Sequence, residues 1–112
     1  MLRRSHTAVL EKNEIHASDF ATEPYETGWA SEAIWFVRVT EVSGDDVKLR
    51  AHLQISPDGI FWTDRGDQLL ELDGCGQACL SVRDFGSWLR LRMEIEGENP
   101  SVKLMVYLAL KE

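Results

Sequence analysis

Three stretches of this chain carry an apolar residue at every second position. A strand lying on a core turns successive side chains to opposite faces, whereas a helix repeats every 3.6 residues and cannot bury such a row. Over residues 47–56, Val47, Leu49, Ala51, Leu53 and Ile55 point one way. Lys48, Arg50, His52, Gln54 and Ser56 point the other, onto a face expected to be solvated. Over residues 88–96, Leu89, Leu91, Met93 and Ile95 alternate with Trp88, Arg90, Arg92, Glu94 and Glu96. Residues 102–111 carry the third row, Val102, Leu104, Val106, Leu108 and Leu110. All three are predicted strands.

Turn residues divide these rows. Gly97-Glu98-Asn99-Pro100-Ser101 supplies turn backbone and predicts an antiparallel hairpin between residues 88–96 and 102–111. Ser43-Gly44-Asp45-Asp46 does the same between a strand at 33–42 and the strand that begins at Val47. Pro57-Asp58-Gly59 turns the chain into a short strand at 60–63, and weaker strands are read at 5–10, 14–18 and 79–82. Residues 21–29, with Pro24 and Gly28, read as a connecting loop. The sum is an all-β chain of about eight short strands, an antiparallel two-sheet β-sandwich of jelly-roll type that buries one face of each alternating strand.

A chain of 112 residues holds one such domain, spanning 1–112. Twelve Lys and Arg against nineteen Asp and Glu leave a net charge of −7, which repels phosphate backbones and anionic bilayers, so neither nucleic acid nor membrane is an expected partner. Arg3 and Arg4 stand behind Met1 and Leu2 without an apolar run of signal-peptide length, so a cytoplasmic or virion-associated protein is expected. Cys75 and Cys79 lie four residues apart, about 13 Å in an extended chain, and are read as reduced thiols. His6, His16 and His52 form no paired motif, so no metal site and no cofactor are expected.

Ser56-Pro57-Asp58-Gly59-Ile60-Phe61-Trp62 is the most motif-like stretch, and each residue in it has a structural use: side-chain oxygens for turn amides, Gly59 for positive φ, Trp62 to fold back on the core. It resembles the Ser-x-Asp-Gly-x-x-Trp hairpin of discoidin-type β-sandwich domains. Read with Leu89-Arg90-Leu91-Arg92 and Gly97-Glu98-Asn99-Pro100-Ser101, the chain from Trp35 to Leu110 resembles small β-sandwich proteins of tailed phages, prophages and bacterial genomes. That resemblance implies a virion accessory or assembly role.

Other candidate sites are weaker. Arg65-Gly66-Asp67 spells an integrin-read tripeptide but is read as a polar turn, and Asp58, Asp64, Asp67, Glu71 and Asp73 fit no calcium loop and are read as an acidic rim. Ser5 beside His6 and Glu14 near His16 are taken as mere sequence neighbours, and with no nucleophile and base set the chain is read as no enzyme. An exposed aromatic face would suit a sugar ring. Trp88, on the outward row with Arg90 and Arg92, and Trp29 are the candidate carbohydrate-binding residues. A different surface points to self-association: behind the core row Ala33, Trp35, Val37 and Val39 stand Ile34 and Phe36, and behind the last strand's core row stand Met105, Tyr107 and Ala109. The second face of a sandwich layer is normally polar, so Ile34, Phe36, Met105 and Tyr107 call for a cover, either residues 1–29 or another subunit. The function expected is non-enzymatic assembly with itself or a larger protein body, the alternative a carbohydrate-binding module.

Overall fold

A computed structural model describes residues 3–112, apart from the side chain of Asp67. Seven strands form: β1 (Ser5–His16), β2 (Phe20–Ala21), β3 (Tyr25–Glu26), β4 (Glu32–Ser56), β5 (Thr63–Asp73), β6 (Gly76–Arg83) and β7 (Trp88–Lys111). All pairings are antiparallel. Strands β4 and β7, of 25 and 24 residues, pair with each other along almost their whole lengths. Glu32 to Ser43 runs against Lys111 to Ser101, and Lys48 to Ser56 runs against Glu96 to Trp88. A straight strand of that length would reach about 80 Å. The molecule's longest dimension is 49 Å, so both strands bend.

The bend falls where turns are expected from sequence, yet it makes no hairpin there. Ser43 lies opposite Ser101 and Asp45 opposite Glu98, so the two polar segments bulge side by side and carry each strand from one layer into the other. Gly97 adopts φ 131, and a Cβ on it would sit 2.8 Å from the Asp45 carbonyl oxygen. The expected pairing of 33–42 with 47–56, and of 88–96 with 102–111, is therefore replaced by pairing of each half with a half of the other long strand. Turn-prone residues mark a place where the backbone must deform, and a bulged corner meets that need as well as a hairpin does.

One layer holds β1, residues 101–111 of β7, residues 32–43 of β4, and β6. The other holds β2 and β3, residues 88–96 of β7, residues 48–56 of β4, and β5. Glu26 pairs with Trp88 in the second layer, and the amide of Ser31 donates to the Lys111 carbonyl in the first. Five residues span at most about 18 Å, so these ends lie together and the layers face one another. Between them the alternating rows meet: Trp35, Val37, Leu53, Leu89, Leu91, Met93, Leu104, Val106, Leu108 and Leu110 are fully buried in one cluster. The protein is thus an antiparallel two-sheet β-sandwich, as the periodicity requires.

The edges differ more from expectation. Residues 5–16 form one strand in place of two, interrupted by irregularities between Val9 and Glu11 and between Lys12 and Glu14, with Asn13 at φ 54. Residues 60–62 are not a strand; β5 starts at Thr63 and runs through Arg65 and Gly66, where a loop is expected. Asp64 faces Gln54 and Leu69 faces His52, so the residues between them bulge from the layer's edge. A bulge at an edge needs no apolar alternation, which is why the polar tripeptide hides a strand.

Candidate functional site

The outward row of the second layer is the most organised polar surface of the described residues. Register places Arg92 across from His52, and Arg90 and Asp64 on either side of Gln54. Arg90 Nε donates to Gln54 Oε1 at 2.6 Å, and Gln54 Nε2 donates to Asp64 Oδ1 at 2.6 Å. Arg92 reaches Asp64 Oδ2 at 3.3 Å and Glu94 Oε1 at 2.9 Å. His52 Nε2 lies 2.7 Å from the same Glu94 oxygen, near enough for an ion pair but not aligned for a hydrogen bond. The guanidinium of Arg90 stacks over the ring of Trp62 at 4.3 Å. The network sets the charges: the Gln54 hydrogen bond, helped by Arg92, holds the Asp64 carboxyl below its usual range against the opposing effect of burial. Bonding to Glu94, then the charge of Asp64, raises Arg92, while burial lowers Arg90.

The sequence reading places His52, Gln54 and Ser56 on a solvated face, and the structure corrects this. Gln54 is 7% exposed and Ser56 1%. Ser56 is drawn into the turn that follows: its Oγ donates to Asp58 Oδ1 and accepts from the Asp58 and Gly59 amides, while Asp58 Oδ1 accepts from the Ile60 and Phe61 amides. Those two amides, then Ser56, lower the Asp58 pKa. The braced turn holds Ile60 and Phe61 in solvent, 72% and 77% exposed.

Of the residues singled out for sugar binding, Arg90 and Arg92 join this network. Trp88 lies under Gly59, where a Cβ would come within 3.1 Å of the indole. Trp29 packs against the core and carries the Arg4 guanidinium at 4.6 Å. Each ring thus has one face covered from within the chain. Sequence reasoning gives Trp62 to the core, Asp64 to an acidic rim and Gln54 to a solvated face; instead the Trp62 ring lies against Arg90, and register joins Gln54 and Asp64 to the same network.

The first layer's outer face joins the four residues singled out for self-association. Phe36 is paired with Tyr107, Ile34 with Ala109, and Arg38 with Met105. Strand β1 sets Val9 beside Tyr107, and β6 sets Cys79 beside Phe36. Val9, Tyr107, Phe36 and Cys79 therefore cross four adjacent strands in one row, about 14 Å wide at the usual strand spacing. Arg38 stacks over Tyr107 at 5.6 Å, and Tyr107 donates its hydroxyl to Met105 Sδ at 3.4 Å. Residues 5–16, one expected cover, lie in the plane of this layer as its edge strand and add Val9 to the row. Residues 20–26 pair with the other layer. The N-terminal cover is thereby overturned among the described residues.

The acidic stretch is dispersed: Asp58 caps its turn, Asp64 serves Gln54 and Arg92, and Glu71 faces Arg50 at 3.7 Å. The side chain of Asp67 lies outside the described residues, as do Met1 and Leu2. Cys75 and Cys79 are free and exposed. Glu14 and His16, expected to be mere sequence neighbours, are two residues apart in β1 and share a side; Glu11 joins them, all three ligand atoms lying within 4.8 Å of one another.

No protein-family model matches the chain, and no curated protein does. Solved structures do. The chain is similar to the PBSX exported protein XepA, with TM-score 0.59 and 11% identity over 97% of this chain and 36% of that one. It is similar to the SPBc2 prophage-derived protein YomS, with TM-score 0.57 and 10% identity over 100% of this chain and 96% of that one. It is also similar to the CBM36-1 domain of a multidomain xylanase from the hindgut metagenome of Trinervitermes trinervoides, with TM-score 0.50 and 11% identity over 94% and 96%. The chain thus spans about a third of XepA and nearly all of YomS. At such identities the likeness establishes the fold alone, an antiparallel β-sandwich shared with prophage proteins and a carbohydrate-binding module.

Proposed function

We propose that the chain is a non-enzymatic assembly module, a phage-derived virion accessory component that associates with its own copies or with a larger protein body. The carrying observation is the row Val9, Tyr107, Phe36 and Cys79, an apolar band across four strands in which Val9 and Cys79 are exposed and Tyr107 and Phe36 half-buried, with Arg38 over the Tyr107 ring and no strand of the described residues laid across it. Large apolar patches on soluble chains mark contact surfaces. Likeness in fold to the prophage-derived protein YomS supports this reading. Phe36 is central to the band, and a lysine there would bury an unpaired charge in any interface, which costs several kcal/mol. Sedimentation velocity at micromolar concentration should show a dimer or higher species for the natural chain and a monomer for Phe36→Lys. A natural chain that sediments as a clean monomer rejects self-association.

A second reading is carbohydrate binding, favoured by the Trp62 ring standing beside the donors and acceptors of Arg90, Gln54, Asp64 and Arg92 on one face. Trp88, on the same row as Arg90 and under Gly59, would flank such a site, whereas Trp29 packs against the core beside Arg4. A glycan array with tryptophan fluorescence as readout tests this, and silence toward every sugar at millimolar concentration sinks it.

A further inference from the structure

Strand β1 carries three potential ligands in six residues, and its own irregularity brings them together. In a regular strand Glu11 would face away from Glu14 and His16, because odd separations put side chains on opposite sides. The irregularity between Lys12 and Glu14, with Asn13 at φ 54, adds a residue to the count and restores the shared side. His16 is held in place: its ring stacks on Phe20 of β2 with centroids 3.6 Å apart and planes 9° apart. Its side chain is 19% exposed and that of Glu11 only 11%, so both approach each other out of bulk water. His16 Nε2 stands 3.4 Å from Glu11 Oε2, and one oxygen of the exposed Glu14 completes a triangle with no side above 4.8 Å.

We propose that Glu11, Glu14 and His16 form a binding site for one divalent transition-metal ion of the zinc type. Nitrogen and oxygen ligands at about 2.0 to 2.2 Å around a tetrahedral ion lie about 3.3 to 3.6 Å apart, and the Glu11–His16 separation already has that value. Glu14 needs only a rotation about its exposed side chain to close in. Charge favours the ion: two carboxylates converge on one imidazole, and among the described residues no lysine or arginine stands within ion-pair distance of Glu11 or Glu14. One imidazole beside two carboxylates suits zinc, whereas calcium and magnesium select oxygen ligands alone. With three protein ligands the fourth position stays open to solvent. The site lies where β1, the edge of one layer, meets β2, the edge of the other, so a bound ion would brace the side of the sandwich.

The test is calorimetric titration of zinc chloride into the chelator-treated full chain. One saturable site is expected, with affinity falling at least tenfold in Glu14→Gln and in His16→Ala. Glu14 is exposed, so its variant should keep the fold even where His16→Ala, which loses the Phe20 stack, does not. Thiols also bind zinc, and the Cys75→Ser, Cys79→Ser double variant separates the two sources by retaining the site. The absence of saturable heat, affinity unchanged in Glu14→Gln, or binding lost with the thiols would each overturn the proposal.

Discussion

Gly59 shows how much one residue of the exposed turn decides. It adopts φ 78, and the indole of Trp88 lies against the position a side chain would take. Gly59→Val should destabilise the fold by about 1 to 3 kcal/mol, through the left-handed backbone and the contact with Trp88 together. Urea unfolding measures it, and an unchanged midpoint would mean that the turn relaxes freely. Asp58 beside it is legible in the same way, since a carboxylate two and three residues before unpaired amides is a turn acceptor by chemistry. Its pKa, lowered by the Ile60 and Phe61 amides, makes its contribution present above the ordinary carboxylate value of 3.8 and lost as pH falls through the lowered folded value. Asp58→Ala should therefore unfold at lower urea than the natural chain at neutral pH, with the gap closing in the range below 3.8. A gap that persists into strong acid would assign the loss to packing instead of to the charge.

At the scale of elements, the corner between the halves of β4 and β7 is the feature that sequence patterning misreads. Gly97 faces the backbone of the partner strand, with Asp45 O and Val47 Cα at 2.8 and 3.1 Å from a Cβ position. Backbone atoms cannot swing aside as a side-chain tip can, so Gly97→Ala should destabilise by about 2 kcal/mol or more. Gly66, in the edge bulge of β5, has nothing within 4 Å of its Cβ position, and Gly66→Ala should stay within about 0.5 kcal/mol of the natural chain. Equal midpoints for the two variants in denaturant would show that the corner does not depend on close backbone approach. The polar network on β4, β5 and β7 belongs to this scale too: it exists because register sets Arg90, Gln54 and Asp64 side by side, which no single strand reveals.

For the whole molecule, the pairing of β4 with β7 joins residue 32 to residue 111 and residue 56 to residue 88. Core formation thus waits on closure of long chain segments, and local hairpins contribute less than the sequence pattern implies. Folding should fall in the millisecond-to-second range of non-local β-sandwiches. Stopped-flow fluorescence of the buried Trp35 would show it, and a dominant microsecond phase would contradict the observed topology.

The sequence by itself determined which residues face the core. Alternation is a property of the extended backbone, so Leu49, Leu53, Leu89, Leu91, Leu104 and Leu108 could be assigned inward before any partner was known, and all are buried. The second apolar row at Ile34, Phe36 and Tyr107 was legible for the same reason. Tertiary structure alone decided which strand each row lies beside, that Gly97 and its neighbours bend a strand instead of reversing it, and that Glu11 meets His16 across a bulge. Pairing is a competition between surfaces of equal period, and a short polar segment accommodates a bulge as readily as a turn; that choice is made by the fit of two whole layers, a quantity no local window of sequence contains.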